Sequence, residues 1–94
     1  MTRKLEIKLT ALSGAVSEAA VWVNDCLVFD GAPGGADAAN VWQGKIQTAA
    51  TQITIEAGGI GASRYGVRLV VDGQVVTDID RQLQGGIDVY LKSV

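Results

Sequence analysis

Val67 to Asp80, VRLVVDGQVVTDID, constrains the fold of this chain more than any other stretch. Two alternating apolar runs flank Asp72-Gly73. An Asp-Gly pair tolerates the positive φ that a two-residue hairpin turn demands at its centre, so the pattern predicts a β-hairpin. Alternation places Val67, Leu69, Val71 and Val76 on one face, and Arg68, Val70, Val75 and Thr77 on the other, which is half polar and reads as the wetter side. The hairpin dictates a fold and carries no chemistry of its own.

The same design occurs earlier. Val21 to Asp30, VWVNDCLVFD, has strand residues either side of Asn24-Asp25. A two-residue turn there pairs Val23 with Cys26, Trp22 with Leu27, Val21 with Val28 and Ala20 with Phe29. One face then carries Val21, Val23, Cys26 and Val28, and the other Trp22, Leu27 and Phe29, so both faces are apolar and both call for cover by protein or ligand. Sliding the chain by 48 positions superimposes Val23 on Val71, Val28 on Val76 and Asp30 on Asp78. The register continues through Leu5 and Ile7 on Ile53 and Ile55, Leu12 on Ile60, Val21 on Leu69, and Val41-Trp42 on Val89-Tyr90. Few of these pairs are identities, so a true duplication and the monotony of β sequences both fit them. Either way the chain reads as two similar halves, each with an opening strand, a hairpin and a closing strand.

Between these landmarks, residues 3 to 12 alternate with Leu5, Ile7 and Leu9 on one face and Lys4, Glu6 and Lys8 on the other, as in a half-buried strand. Ser13 to Glu18 reads as a linker, with a short helical turn through AVSEAA as the alternative. Gly31 to Ala39, GAPGGADAA, reads as a surface loop. Val41 to Gln47 and Gln52 to Glu56 read as strands around the link Thr48 to Thr51, and Ala57 to Ser63 as a glycine turn. After Gly85-Gly86, the alternation of Ile87, Val89 and Leu91 marks a closing strand through Lys92. About eight short strands with no helix predict an all-β, small antiparallel sandwich of jelly-roll or immunoglobulin-like type, with residues 1–94 forming a single domain. A chain of 94 residues buries only about 60 to 65% of its unfolded surface, so little stability is spare.

Composition narrows the function classes. A net charge of −2 with only eight Lys and Arg scattered along the chain opposes a nucleic-acid reading, which needs a basic face. No run approaches the apolar length of a membrane helix. Met1-Thr-Arg-Lys leads straight into a strand pattern and shows no signal peptide, which favours a cytoplasmic setting or a place in a larger assembly. The single Cys26 cannot form an internal disulfide and reads as a small buried apolar residue. With no histidine, Ser-His and Cys-His nucleophile arrangements are impossible, so no enzyme is expected. Gly58 to Ser63, GGIGAS, lacks the ending of a P-loop and precedes a strand, so a turn is the simpler reading.

Two features remain. Trp22, Leu27 and Phe29, extended by Trp42, form an apolar aromatic surface that suggests a self-association or protein-binding interface. Asp78 and Asp80 are two apart on a strand, so their carboxylates share a face and could hold Ca²⁺. The other aspartates, Asp25, Asp30, Asp37, Asp72 and Asp88, show no metal-loop spacing. The VxLxVDGxxV phrase of Val67 to Val76 resembles hairpins in jelly-roll carbohydrate-binding modules, in particular the small calcium-dependent ones that bind xylan. That resemblance implies calcium-bound carboxylates and a glycan ligand, with Asp78 and Asp80 the nearest equivalents. The leading expectation is a non-catalytic interaction or assembly module without cofactor, working as a homo-oligomer or with a protein partner. The alternative is a calcium-dependent carbohydrate-binding module.

Overall fold

Alternating side chains and glycine turns produce eight strands: β1 (Thr2–Ser13), β2 (Val16–Val23), β3 (Cys26–Gly31), β4 (Trp42–Gln47), β5 (Gln52–Gly59), β6 (Arg64–Val71), β7 (Gln74–Gln82) and β8 (Ile87–Ser93). This computed structural model describes residues 1–35 and 41–94; Asp37 and the end of the predicted Gly31 to Ala39 loop lie outside the described residues. Two four-stranded antiparallel sheets pack face to face, sheet A in the order β4-β1-β6-β7 and sheet B in the order β3-β2-β5-β8. The expected all-β sandwich is therefore what the chain forms. Its core is built from the inward positions of the four central strands: Leu5, Ile7 and Leu9 of β1, Tyr65, Val67 and Leu69 of β6, Val21 of β2, and Ile53 and Ile55 of β5.

The 48-residue periodicity is visible in three dimensions. Moving each strand of sheet A four places along the chain generates sheet B, so a pseudo-twofold relation exchanges the two sheets. Pairings follow it: Ile7 opposite Leu69 becomes Ile55 opposite Val21, and Leu5 opposite Val71 becomes Ile53 opposite Val23. The hairpin irregularities follow it as well, at Val21/Trp22 and at Leu69/Val70. So do the turns. Asn24 and Asp72 both adopt positive φ (54° and 50°), where a short polar side chain is tolerated. Asn24 N–H donates to the Gln52 carbonyl (2.7 Å) and its Oδ1 accepts from Gln52 N–H (3.0 Å). Asp72 repeats this on Lys4, at 2.9 Å and 2.8 Å. Each hairpin tip is thus clamped to the start of the neighbouring central strand. Two unrelated alternating patterns would not share topology, register and turn bonding, so the repeat is structural.

Several expectations are corrected. AVSEAA is neither linker nor helix but the start of β2, because Val16 and Ala19 find buried positions. Strand β5 continues through Gly59, so the glycine turn is shorter than predicted. In each hairpin an extra residue forms a β-bulge on the return strand and reverses the alternation beyond it. Val21 therefore faces Phe29 and Ala20 faces Asp30, in place of Val28 and Phe29. Likewise Leu69 faces Thr77, which is buried, while Val76 is 43% exposed. Cys26 is exposed, since it is the first residue after the turn on an edge strand. In the predicted closing strand β8, Tyr90 lies opposite buried Ile55 and packs on the core, leaving Ile87, Val89 and Leu91 facing outward.

Candidate functional site

The orientation of β8 has a direct result on the outside of sheet B. Residues directly opposite each other in antiparallel strands share a face, so the registers define rows across the sheet. One row runs Leu27, Trp22, Thr54, Leu91. The next runs Asp30, Ala20, Glu56, Val89, and the third Glu18, Gly58, Ile87. Leu27 is 50% exposed, Leu91 60% and Ile87 64%, and Trp22 is half-buried. The face thus has an apolar row at one end, an apolar stripe along the β8 edge, and Glu18, Asp30 and Glu56 between them. A shallow groove of about 480 Å³ lies over this middle, lined by Glu18, Ala20, Asp30, Glu56, Ile87 and Val89.

The structure divides the predicted aromatic surface. Trp22 and Leu27 pair side by side on the outer face of sheet B. Phe29 and Trp42 instead pack against the core from the edge strands β3 and β4. Trp42 lies across Gly44, where a Cβ would sit 2.5 Å from the indole ring, and Phe29 lies similarly over Gly31. The bulge at Val21/Trp22 moves Phe29 inward. Sequence reasoning missed the other half of the surface, Ile87, Val89 and Leu91, because an alternating apolar triplet reads as a core stripe. Comparison with protein-family models, curated proteins and solved structures finds no match to this chain. The site therefore has to be interpreted from its own chemistry.

The best-formed polar constellation lies at the β7/β8 side of the sandwich and bridges the sheets. Arg81 of β7 donates through Nε and Nη2 to both oxygens of Asp88 on β8, at 3.0 and 2.9 Å. Tyr65 of β6, fully buried, donates its hydroxyl to Asp88 Oδ2 at 2.5 Å. The Arg81 guanidinium also stands 5.1 Å from the Tyr90 ring centroid. Burial pushes the Tyr65 hydroxyl pKa well above its ordinary value, with Asp88 acting in the same direction, so it remains a donor. The hydrogen bonds it donates to Asp88 hold Arg81 firmly charged. Among the described residues no buried side-chain nitrogen or oxygen lacks a hydrogen-bond partner, and the Asp88 side chain is only 11% exposed. Its chemistry is that of a clasp between sheets.

Asp78 and Asp80 do project from one face of β7, as alternation requires, and that face belongs to the outside of sheet A. Cations surround them. Asp80 is bound by Arg64 at 3.0 Å, Asp78 lies opposite Arg68, and Lys8 shares their shallow depression. Among the described residues, no group of three or more acidic or cysteine side chains is gathered as a metal site would require. Millimolar CaCl₂ is expected to leave the thermal unfolding midpoint unchanged. A calcium-specific rise of several degrees, absent with MgCl₂ and with Asp78→Asn, would instead establish binding to the native state by mass action.

Proposed function

We propose that this chain is a non-catalytic β-sandwich interaction module that self-associates or docks on a protein partner through the outer face of sheet B. The observation that carries the reading is the placement of half-buried Trp22 and exposed Leu27, Ile87, Val89 and Leu91 on the outer face of one sheet. Scattered exposed apolar residues are ordinary, but a set drawn from three strands, β2, β3 and β8, onto one sheet face is the pattern of a surface made to be covered. Its aromatic member, Trp22, is of the residue class that dominates interface energetics. Acidic side chains among the apolar ones supply orientation and hinder indiscriminate association.

The first partner to test is another copy of the chain. Light scattering coupled to size-exclusion chromatography, run from low to high micromolar protein, is expected to give a mass above the 9.8 kDa monomer. Trp22→Glu combined with Leu91→Glu is expected to return the mass to that of a monomer whose circular dichroism spectrum and melting curve stay those of a folded sandwich. A wild-type protein that remains monomeric throughout would overturn self-association. An unfolded double variant would place Trp22 in the stability of the sandwich and remove it from the interface.

A further inference from the structure

We infer that the surface which covers the outer face of sheet B is the outer face of sheet A on a second copy, so that copies join front to back. The inference rests on the reading of sheet B as an interaction face and adds the identity of its partner. Its ground is a charge asymmetry between two faces that the internal repeat makes nearly congruent in backbone. Lys4, Lys8, Lys45, Arg64 and Arg68 all stand on the outer face of sheet A, since each alternates with a core residue or lies opposite one that does. That is five of the chain's eight Lys and Arg. Glu6, Asp78 and Asp80 share that face, leaving it net positive. The outer face of sheet B carries Glu18, Asp30 and Glu56 and, among the described residues, no Lys or Arg.

Opposite charge is matched by apolar content. The pseudo-equivalents of Trp22 and Leu27 on sheet A are Val70 and Val75, again directly paired, with Val75 47% exposed. Sheet A thus offers cations beside an apolar corner, where sheet B offers carboxylates beside one. A symmetric dimer of two sheet B faces would force Glu18, Asp30 and Glu56 against their own copies with no cation between them, which is unfavourable once water is displaced. Placing sheet B on sheet A brings carboxylates toward guanidinium and ammonium groups. The contact uses two different patches, so it is not self-completing: a pair leaves one face unused on each copy, and further addition gives a ring or an open array.

Two charge-reversed proteins test this. One carries Glu18→Lys and Glu56→Lys on sheet B; the other carries Lys45→Glu and Arg68→Glu on sheet A. Each alone is expected to run as a monomer in light scattering, because its two outer faces now have the same sign. Mixed in equal amounts, they are expected to regain the wild-type mass by alternating, which also shows both are folded. Raising NaCl from 50 to 500 mM should lower the wild-type mass. If the sheet A variant alone keeps the wild-type mass while the sheet B variant dissociates, sheet B pairs with itself or elsewhere; the inference fails and the interaction reading stands. If neither variant changes the mass, or the wild type is already monomeric, the inference fails, and a monomeric wild type overturns self-association with it.

Discussion

Asp88→Ala is expected to lower the melting temperature by about 10 to 20 °C, which corresponds to about 2 to 3 kcal/mol in a domain of this size. The substitution removes the acceptor shared by Arg81 and Tyr65 and leaves a part-buried guanidinium and a fully buried hydroxyl without their partner. An uncompensated buried donor costs more than the lost bond would suggest. Tyr65→Phe deletes one bond and its donor together, so its effect should be the smaller of the two. The loss is pH-dependent with a definite sign. Burial alone would raise the Asp88 pKa, but the Arg81 and Tyr65 hydrogen bonds and the Arg81 charge overcome it and hold it below the usual carboxylate value. A group depressed in the folded state contributes fully above its unfolded pKa, near about 4, and loses that contribution as pH falls through the folded value. The gap between wild type and Asp88→Ala should therefore be widest at neutral pH and narrow in acid. Calorimetry across pH 2 to 7 measures it. A gap of only a degree or two at pH 7 would reduce the clasp to an ordinary surface ion pair.

Gly59→Ala is expected to cost a similar amount, about 2 to 4 kcal/mol, through collision and not through backbone strain. A Cβ at this position would lie 2.0 Å from the Ala15 carbonyl oxygen and 2.9 Å from Val16 Cα, both backbone atoms that cannot swing aside. That same carbonyl accepts the Ile60 N–H at 2.9 Å, so making room for a methyl group breaks a bond that anchors the start of β2 to the end of β5. Gly85→Ala is the matched comparison. Its Cβ would enter open space, and only its φ of 61° opposes the change, for a cost of about 1 kcal/mol. Denaturant unfolding of the two variants separates the effects. Equal midpoints would show that the β2/β5 crossing can relax to admit a methyl group.

How far the fold could be read from residues depended on the kind of signal. Asp72-Gly73 between two alternating runs located a hairpin because positive φ is a local requirement met by few residue types. The offset of 48 positions was readable for a similar reason, since it compared whole patterns and not single residues. The bulges were not readable: one extra residue in β3 and β7 leaves composition unchanged yet reverses which side chains face inward, as Phe29, Thr77 and Val76 demonstrate. Strand β8 was legible as a strand but its facing was not, because its apolar triplet obeys the alternation of a core strand, while its inward side is settled by Tyr90 on the core and Asp88 reaching Arg81 and Tyr65. Arg81 lies seven residues and Tyr65 23 residues before Asp88, and no spacing rule joins them. Of the candidate surface, Trp22 and Leu27 were therefore identifiable, and its β8 half was not.

The exchange of sheets by the internal repeat has a consequence for how the chain reaches this structure. In both sheets the central neighbours come from different halves, β1 beside β6 and β2 beside β5. Each half alone would be two separate strand pairs, β4 with β1 and β2 with β3, each exposing an apolar face and an open edge. Neither can close a core before the other arrives. Acquisition of structure must therefore wait for pairings distant along the chain, the situation that slows folding and favours a single all-or-none transition. Because the two halves present nearly the same register, the right partner for each is its own second half in competition with that of a neighbouring chain, so refolding yield should fall as protein concentration rises.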